Sequence, residues 1–366
     1  MKIINSVNIN SCCTPANSAL KPVAVCGVDR PAAIPITGEW TLRDHIGQIR
    51  SRIGAFRMEY RIDPGLYAQG NPGRNSDVFV SANYKLSFDI LRRELKGMSA
   101  WILVLDTAGI NVWCAAGKGS FGTAELIKRI HLHGLEKVVE HRNVIVPQLG
   151  APGLEAHVVA RSTGFHVIFG PVAARDVPAF VAAGYKASPE MRRVRFSWRD
   201  RLVLTPMEIN PAMRRFPVIA LGILVIFGLK PEGVLFRDAF EAGLPFVLLL
   251  LASVFSGSFI TPVLLPLIPF RSFALKGLIT GVLVVILVTA LAGTDIWQNG
   301  ALTAFTFLFF PALSSYLALQ FTGASTYTGM SGVKKELKLS IPLYISAVSV
   351  SVIMLAVYKL KEWSII

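Results

Sequence analysis

An α/β domain with a parallel, doubly wound sheet, followed by an all-α transmembrane domain of about five helices, is the fold class this sequence predicts. Two observations lead there. Up to about Met213, short apolar strand-like runs alternate with stretches of helical periodicity, the pattern of a parallel sheet with crossover helices. From Phe216 onward the apolar runs are long and nearly uncharged, and they raise the mean hydropathy of the 366-residue chain to +0.52. The expected organisation is an N-terminal arm over 1–50, an α/β domain over 51–213 and a membrane domain over 214–366.

In the first half, Asp77–Ser81 predicts a strand and Asn83–Leu95 a helix with Leu86, Ile90 and Leu91 on one face. Trp101–Asp106 is the next strand, and a small-residue segment follows it. Thr123–His133 carries Leu126, Ile127 and Ile130 at helical spacing. Val144–Val146 predicts a strand ending at Pro147, and Leu154–Arg161 a helix. Phe165–Phe169 predicts a strand, Asp176–Ala183 a helix closed by Gly184, and Val194–Phe196 a last strand. Gly150, Gly153, Gly164 and Gly170 fall near strand ends or the turns before them, where a flat ligand could rest against backbone.

Spanning a bilayer takes roughly 20 apolar residues. Five segments approach that length: Phe216–Leu229, Gly243–Pro262, Gly277–Gly293, Ala301–Phe321 and Ile341–Leu360. Thr261–Phe270, with Pro262, Pro266 and Pro269, reads as a re-entrant or interfacial piece. Arg214 and Arg215, then Arg271 and Lys276, then Lys334, Lys335 and Lys338 fall on one side of these segments, and the loop 294–299 opposite has no basic residue. The bias predicts a cytoplasmic N-terminal domain on a multi-pass protein of the cytoplasmic (inner) membrane, although Lys230, Arg237, Lys359 and Lys361 weaken the contrast. Met1–Ala24 has no continuous apolar core, so no cleavable signal is expected. Ionisable residues are absent from the middle of the spans, which favours an anchor over a transporter.

Residues 1–213 hold 26 of the 37 basic residues and 17 of the 23 acidic ones, a net +9 of the total +14. Membrane lipid with anionic headgroups would attract such a domain. Nucleic-acid binding is not expected, because no basic run or aromatic-interleaved patch is present. The four cysteines, Cys12, Cys13, Cys26 and Cys114, do not form an iron–sulfur or zinc pattern. The first three sit in the arm and read as incidental.

Chemistry concentrates in Asn111-Val112-Trp113-Cys114-Ala115-Ala116-Gly117-Lys118-Gly119. Following a strand, it places one cysteine where a strand hands over to a helix, the position at which open α/β sheets bind ligands. Small neighbours let a bulky, flat partner approach the backbone, and the thiolate is the form that ligates metals. Cys114 could be a buried structural thiol, a nucleophile activated by one of the histidines His131, His133, His141, His157 and His166, or a ligand to a metal that brings most of its own coordination sphere. Gly117-Lys118-Gly119-Ser120 is not a phosphate loop: Val112 stands at the first glycine position and Gly119 where Ser or Thr is needed.

The stretch Asn111 to Lys118 resembles the cap-helix motif of the HgcA family, the membrane-anchored corrinoid proteins of microbial mercury methylation. The likeness extends to 63–67, 80–85, 147–153, 169–172 and 191–194 and into the apolar half. It implies a Rossmann-like domain binding a cobalamin-type corrinoid, with Cys114 as the lower axial ligand to cobalt. It further implies corrinoid-dependent methyl transfer to a Hg(II) substrate, with cobalt reduced by a ferredoxin-like partner bearing two iron–sulfur clusters. The methyl group would come from a methyl-donor protein or a folate. Histidine ligation of the Asp-x-His-x-x-Gly kind is disfavoured, since Arg129 stands where His131 would need Asp.

On this reading Asn111, Val112, Trp113, Cys114, Ala115, Ala116, Gly117 and Lys118 form the cofactor-facing cap, Asn111 bonding to Cys114 and Trp113 shielding the sulfur–cobalt bond from water. Thr107, Asn83, Tyr84 and Gln148 could hydrogen-bond corrin amides, and Gly150 and Gly170 leave room for the ring. Each has a plain alternative, as N-cap, core residue or turn former. Two rival readings stand beside the first: a corrinoid methyl carrier of ordinary one-carbon (acetyl-CoA pathway) metabolism, and a non-enzymatic membrane sensor.

Overall fold

The computed structural model describes residues 33–292, 295–324 and 330–365. Cys12, Cys13 and Cys26, and the polar stretch 325–327, lie outside them. The chain divides into two units, one made of the residues up to Gly47 and Met58–Arg193, the other of Gln48–Arg57 and Val194–Ile366.

The first unit is α/β. Its strands are β1 (Ile34–Ile36), β2 (Gly65–Gln69), β3 (Val78–Ala82), β4 (Ala100–Leu105), β5 (Asn143–Val146) and β6 (His166–Phe169). They form one sheet in the order β1-β2-β4-β3-β5-β6. Strands β3 to β6 pair in parallel, as the alternation of strands and helices predicts. The wholly parallel sheet does not hold, however: β2 runs antiparallel to β4, from Gly65 opposite Val104 to Gln69 opposite Ala100, and β1 runs parallel to β2. The sheet is mixed.

Every residue of the central strands β3 and β4 is buried, and successive side chains alternate between the two faces. Val78, Val80, Leu103 and Leu105 face one apolar layer with Leu126 and Ile130 of α4 (Thr123–Leu132) and Val159 of α6 (Ala156–Thr163). Phe79, Ile102 and Val104 face the other, with Phe88 and Leu91 of α2 (Lys85–Glu94) and Val177 and Phe180 of α7 (Val177–Ala182). A sheet covered on both faces explains why its strands read as unbroken apolar runs.

Two sequence expectations fail at the margins of this unit. The arm 1–50 contains β1 and most of α1 (Leu42–Ser51); a three-residue edge strand centred on Pro35 is too short to show periodicity. Val194–Phe196 is not a strand but an irregular stretch leading to Ser197. Ser197 caps a long helix, with the Asp200 carboxylate accepting from the Ser197 amide at 2.9 Å.

A charged network ties α1 to α2. Lys85 Nζ lies 2.7 Å from Asp44 and 2.6 Å from Asp89, and Arg92 bridges Asp44 at 2.9 Å and Asp89 at 2.8 Å. Burial alone would push the Asp44 carboxyl upward, but hydrogen bonds from Lys85 and Thr41 outweigh it and hold it well below the usual carboxylate range. A carboxyl depressed by folding adds stability above its unfolded value, near pH 4, and loses it as pH falls through the lower folded value. Asp44→Asn should therefore destabilise the chain at neutral pH by about 1–3 kcal/mol and flatten the acid limb of its stability profile. An unchanged acid limb in urea titrations from pH 7 to 2 would refute the assignment.

Among its described residues the second unit has five helices long and apolar enough to cross a membrane. They are α8 (Trp198–Gly228), α9 (Phe236–Phe255, continued through a π-helical turn Ser256–Ile260 to Val263), Phe273–Ala292, Gly300–Gln320 and Met330–Glu362. The number matches the expectation, but α8 begins well before Phe216 and runs through Pro206, Pro211 and Pro217. The expected domain boundary at 213 thus falls inside a helix. Backbones approach closely where side chains are small: a Cβ on Gly257 would lie 2.3 Å from the Ser314 carbonyl, and one on Gly277 2.8 Å from Ser315 Cα. The Ser314 hydroxyl lies 3.0 Å from Ser256 Oγ and 2.9 Å from the Gly277 carbonyl.

Candidate functional site

Strand β3 leads through α2 to β4 on one side, and β5 returns to pair on β3's other side. That reversal opens a crevice at the C-terminal strand ends, where doubly wound sheets bind ligands. A cavity of about 300 Å³ occupies it, lined by Val80 and Ser81 of β3, Val146 and Pro147 after β5, and Gly170 and Pro171 after β6. The cavity is mainly apolar. Asn111, Val112 and Trp113 close one side.

Those residues begin α3 (Val112–Lys118), the helix expected from the cap segment. Asn111 is its N-cap, and Asn111 Oδ1 accepts from the Cys114 amide at 2.9 Å; Gly119, at φ 82°, ends the helix in the left-handed region. Val112, Ala115 and Ala116 are buried in the core. At 100° per residue, Trp113, Gly117, Cys114 and Lys118 occupy the remaining arc, and all are exposed. Trp113 is 41% exposed, and Cys114 beside it is exposed as well. A Cβ on Gly117 would meet nothing within 4 Å. The result is a bare patch with a thiol on one flank and an indole on the other.

Beneath the helix, the turn Gln148–Gly153 packs without clearance. A Cβ on Gly153 would lie 2.2 Å from the Phe121 carbonyl and 3.1 Å from Ala116 Cα, and one on Gly150 2.5 Å from the Phe121 ring. Gly150 therefore serves the packing of the cap, whereas Gly170 lines the cavity. Gln148 Oε1 is buried without a hydrogen-bond partner.

The other expected cofactor contacts go elsewhere. Thr107 is fully buried and Asn83 nearly so, and they bond to each other at 2.8 Å; their polar groups are used inside the protein. Tyr84 is buried at the start of α2, its backbone bridged to Arg61. None of the three faces the cap patch or lines the cavity. The composition-based reading could not separate a donor offered to a ligand from one consumed by a turn. Missed residues include Phe121, the anchor under the cap, and Ser81 and Pro171 of the cavity; the all-buried run Val78–Ala82 was the available signal for the crevice. Among the described residues no group of three His, Cys, Asp or Glu side chains could hold a metal ion, so a metal here would need its other donors from a cofactor.

Residues 56–181, from just before β2 to α7, match the family model described as CO dehydrogenase/acetyl-CoA synthase delta subunit. The acetyl-CoA decarbonylase/synthase complex subunit gamma of Methanopyrus kandleri is 32% identical over 128 residues, 34% of this chain and 27% of that protein. The same subunit of Archaeoglobus fulgidus is 30% identical over 118 residues, 32% of this chain and 25% of its own. The corrinoid/iron-sulfur protein large subunit of Moorella thermoacetica is 27% identical over 129 residues, 35% of this chain and 28% of its own. The chain thus spans about a quarter of the length of the curated relatives it matches, and the family match ends before the apolar helices.

Proposed function

We propose that this chain is a corrinoid-dependent methyl-transfer protein in which Cys114 is the lower axial ligand to cobalt, anchored in the cytoplasmic membrane by its five long helices. The observation that carries this reading is the exposed thiol on the bare face of α3, beside the crevice at the strand ends. The residues fit such a group. A soft donor stands free, Gly117 leaves space for a flat ring, and the buried Gln148 Oε1 has no partner within the protein. The relatives support a corrinoid cofactor, one of them by name.

When bound, the corrinoid supplies a cobalt that accepts a methyl group and passes it on. Cys114 would hold the cobalt through a donor softer than imidazole, suited to passing a methyl group to an electrophile. Asn111 fixes the first turn of α3 and so the height of the sulfur. Trp113 offers an apolar wall on one flank, and Lys118 a cation on the other. The basic end of the helical half, with Arg214, Arg215, Arg271, Lys334, Lys335 and Lys338, would face the cytoplasm.

For the acceptor we take Hg(II), as the likeness of 111–118 to the HgcA cap motif implies; a soft electrophile suits a carbanion-like methyl. The relatives favour the second reading, a carrier of ordinary one-carbon metabolism, since their names are those of the acetyl-CoA pathway. One experiment separates the two: the methyl-loaded full chain offered Hg(II) as its glutathione complex, or acetyl-CoA synthase with CO and coenzyme A. Methylmercury as the product supports the first reading, and acetyl-CoA alone overturns it.

The electron source must be a second protein. Each cubane cluster takes about four thiolates, and with Cys114 on cobalt three of the four cysteines remain. Sustained turnover should require a reduced ferredoxin-like partner, and reduction should slow as salt rises if the net +9 of residues 1–213 steers an acidic partner. Multiple turnovers by the chain alone, without any reductant, would sink this requirement.

A further inference from the structure

We infer that Asn83 is a positioning residue for Cys114, acting through a left-handed turn that aims the cap helix; the inference rests on the corrinoid reading above. Asn83 sits at the end of β3, 3% exposed, and every polar group it has is engaged. Its amide donates to the Leu105 carbonyl at 3.1 Å, and its carbonyl accepts from the Ile62 amide at 3.0 Å. Its side-chain Oδ1 accepts from the Thr107 amide at 3.0 Å, the Thr107 hydroxyl at 2.8 Å and the Gly109 amide at 2.9 Å. Its Nδ2 donates to Asp106 Oδ1 at 3.2 Å. The orientation of this amide is forced, because a flip would set its NH2 against the Thr107 and Gly109 backbone N–H donors.

What Asn83 holds is unusual. Ala108 and Gly109 lie at φ 54° and 75°, closed by the Ile110 amide donating to the Thr107 carbonyl at 3.1 Å. Two consecutive left-handed residues make a mirror-image turn that favours Asn-Gly or Gly-Gly. Ala108 gains no such local support and carries strain there. Surrounding contacts must hold it, and strain held this way clusters at functional sites. The Asp106 carboxylate accepts from the Ala108 amide at 3.1 Å, and the Asp106 amide donates to Glu125 Oε1 at 2.9 Å, on α4. The next residue after the turn is Asn111, whose side chain caps the Cys114 amide. One buried amide therefore sets the angle at which the chain leaves β4 and enters the helix that presents the thiol.

The test is the axial ligation of the corrinoid in the full-length protein in detergent, read from its visible and electron paramagnetic resonance spectra, with hydrogen exchange over 107–119 in the cofactor-free protein. Asn83→Ala should still bind corrinoid. Its thiolate-ligated fraction should fall about tenfold or more, the scale of one buried hydrogen bond lost, and exchange over 107–119 should rise. Asn83→Asp keeps an acceptor for the Thr107 and Gly109 amides and should restore most of the ligation. Thr107→Val, which removes one donor and keeps the volume, should give a smaller loss and stands in if Asn83→Ala does not fold. Full thiolate ligation in Asn83→Ala, or in Thr107→Val where that variant stands in, overturns the inference. Absence of thiolate ligation in the unaltered protein instead overturns the corrinoid reading on which it rests.

Discussion

Replacing Cys114 with alanine is expected to cut methyl transfer by more than about 100-fold, since losing even an outer-shell partner of a metal ligand costs about 10–100-fold. Stability should hardly change, because the side chain is exposed on a helix and alanine is the better helix former. On the proposed reading the protein's donor to cobalt would be lost, whereas the cap, its N-cap bond and the cavity remain. Cys114→His should keep part of the cofactor binding and little of the rate, imidazole being the harder and weaker donor. Cys12, Cys13 and Cys26 changed together to serine serve as the control and should leave turnover nearly intact. Methyl transfer at the unaltered rate in Cys114→Ala, measured with a supplied reductant, would remove Cys114 from the chemistry.

Gly153→Ala and Gly117→Ala should fail in opposite ways. At Gly153 the new methyl would stand 2.2 Å from the Phe121 carbonyl, a backbone atom that cannot swing aside. The turn must then part from α3, at about 3 kcal/mol or more. At Gly117 the methyl enters open space, and helix propensity adds up to about 1 kcal/mol of stability. Yet this methyl fills the patch beside the thiol and should weaken corrinoid binding. Thermal unfolding and cofactor titration on both variants separate the effects. A stable Gly153→Ala would mean the cap is not docked as described, and unchanged corrinoid affinity in Gly117→Ala would mean the ring lies elsewhere.

Much of the α/β unit was legible from sequence because its strands are buried on both faces and its helices end at glycines. Val78–Ala82, Ala100–Leu105 and Asn143–Val146 are unbroken or nearly unbroken apolar runs, and Gly119, Gly164 and Gly184 lie at or just past helix ends in the left-handed region. Strand β2 was not legible. Gly-Leu-Tyr-Ala-Gln has no β-branched residue, and the direction of a strand is set by its connection, not its composition. The start of α8 was hidden by Pro206 and Pro211, which read as breakers where the helix continues. Within the site, the exposed cap residues were identified by spacing and resemblance together. Asn83 and Thr107 were chosen as polar residues near the right strand ends, but their lone pairs are spent on a turn whose left-handed Ala108 carries no sequence signal.

Exposure of Cys114 has a consequence for the proposed reaction. Until a cofactor covers it, the sulfur is an open soft donor beside a bare glycine, the kind of group that thiophilic metals seize. The acceptor proposed for this protein is such a metal. On the Hg(II) reading, substrate and cofactor would compete for one sulfur, and the empty chain would be poisoned by what the loaded chain consumes. Cofactor loading would then have to precede exposure to the substrate.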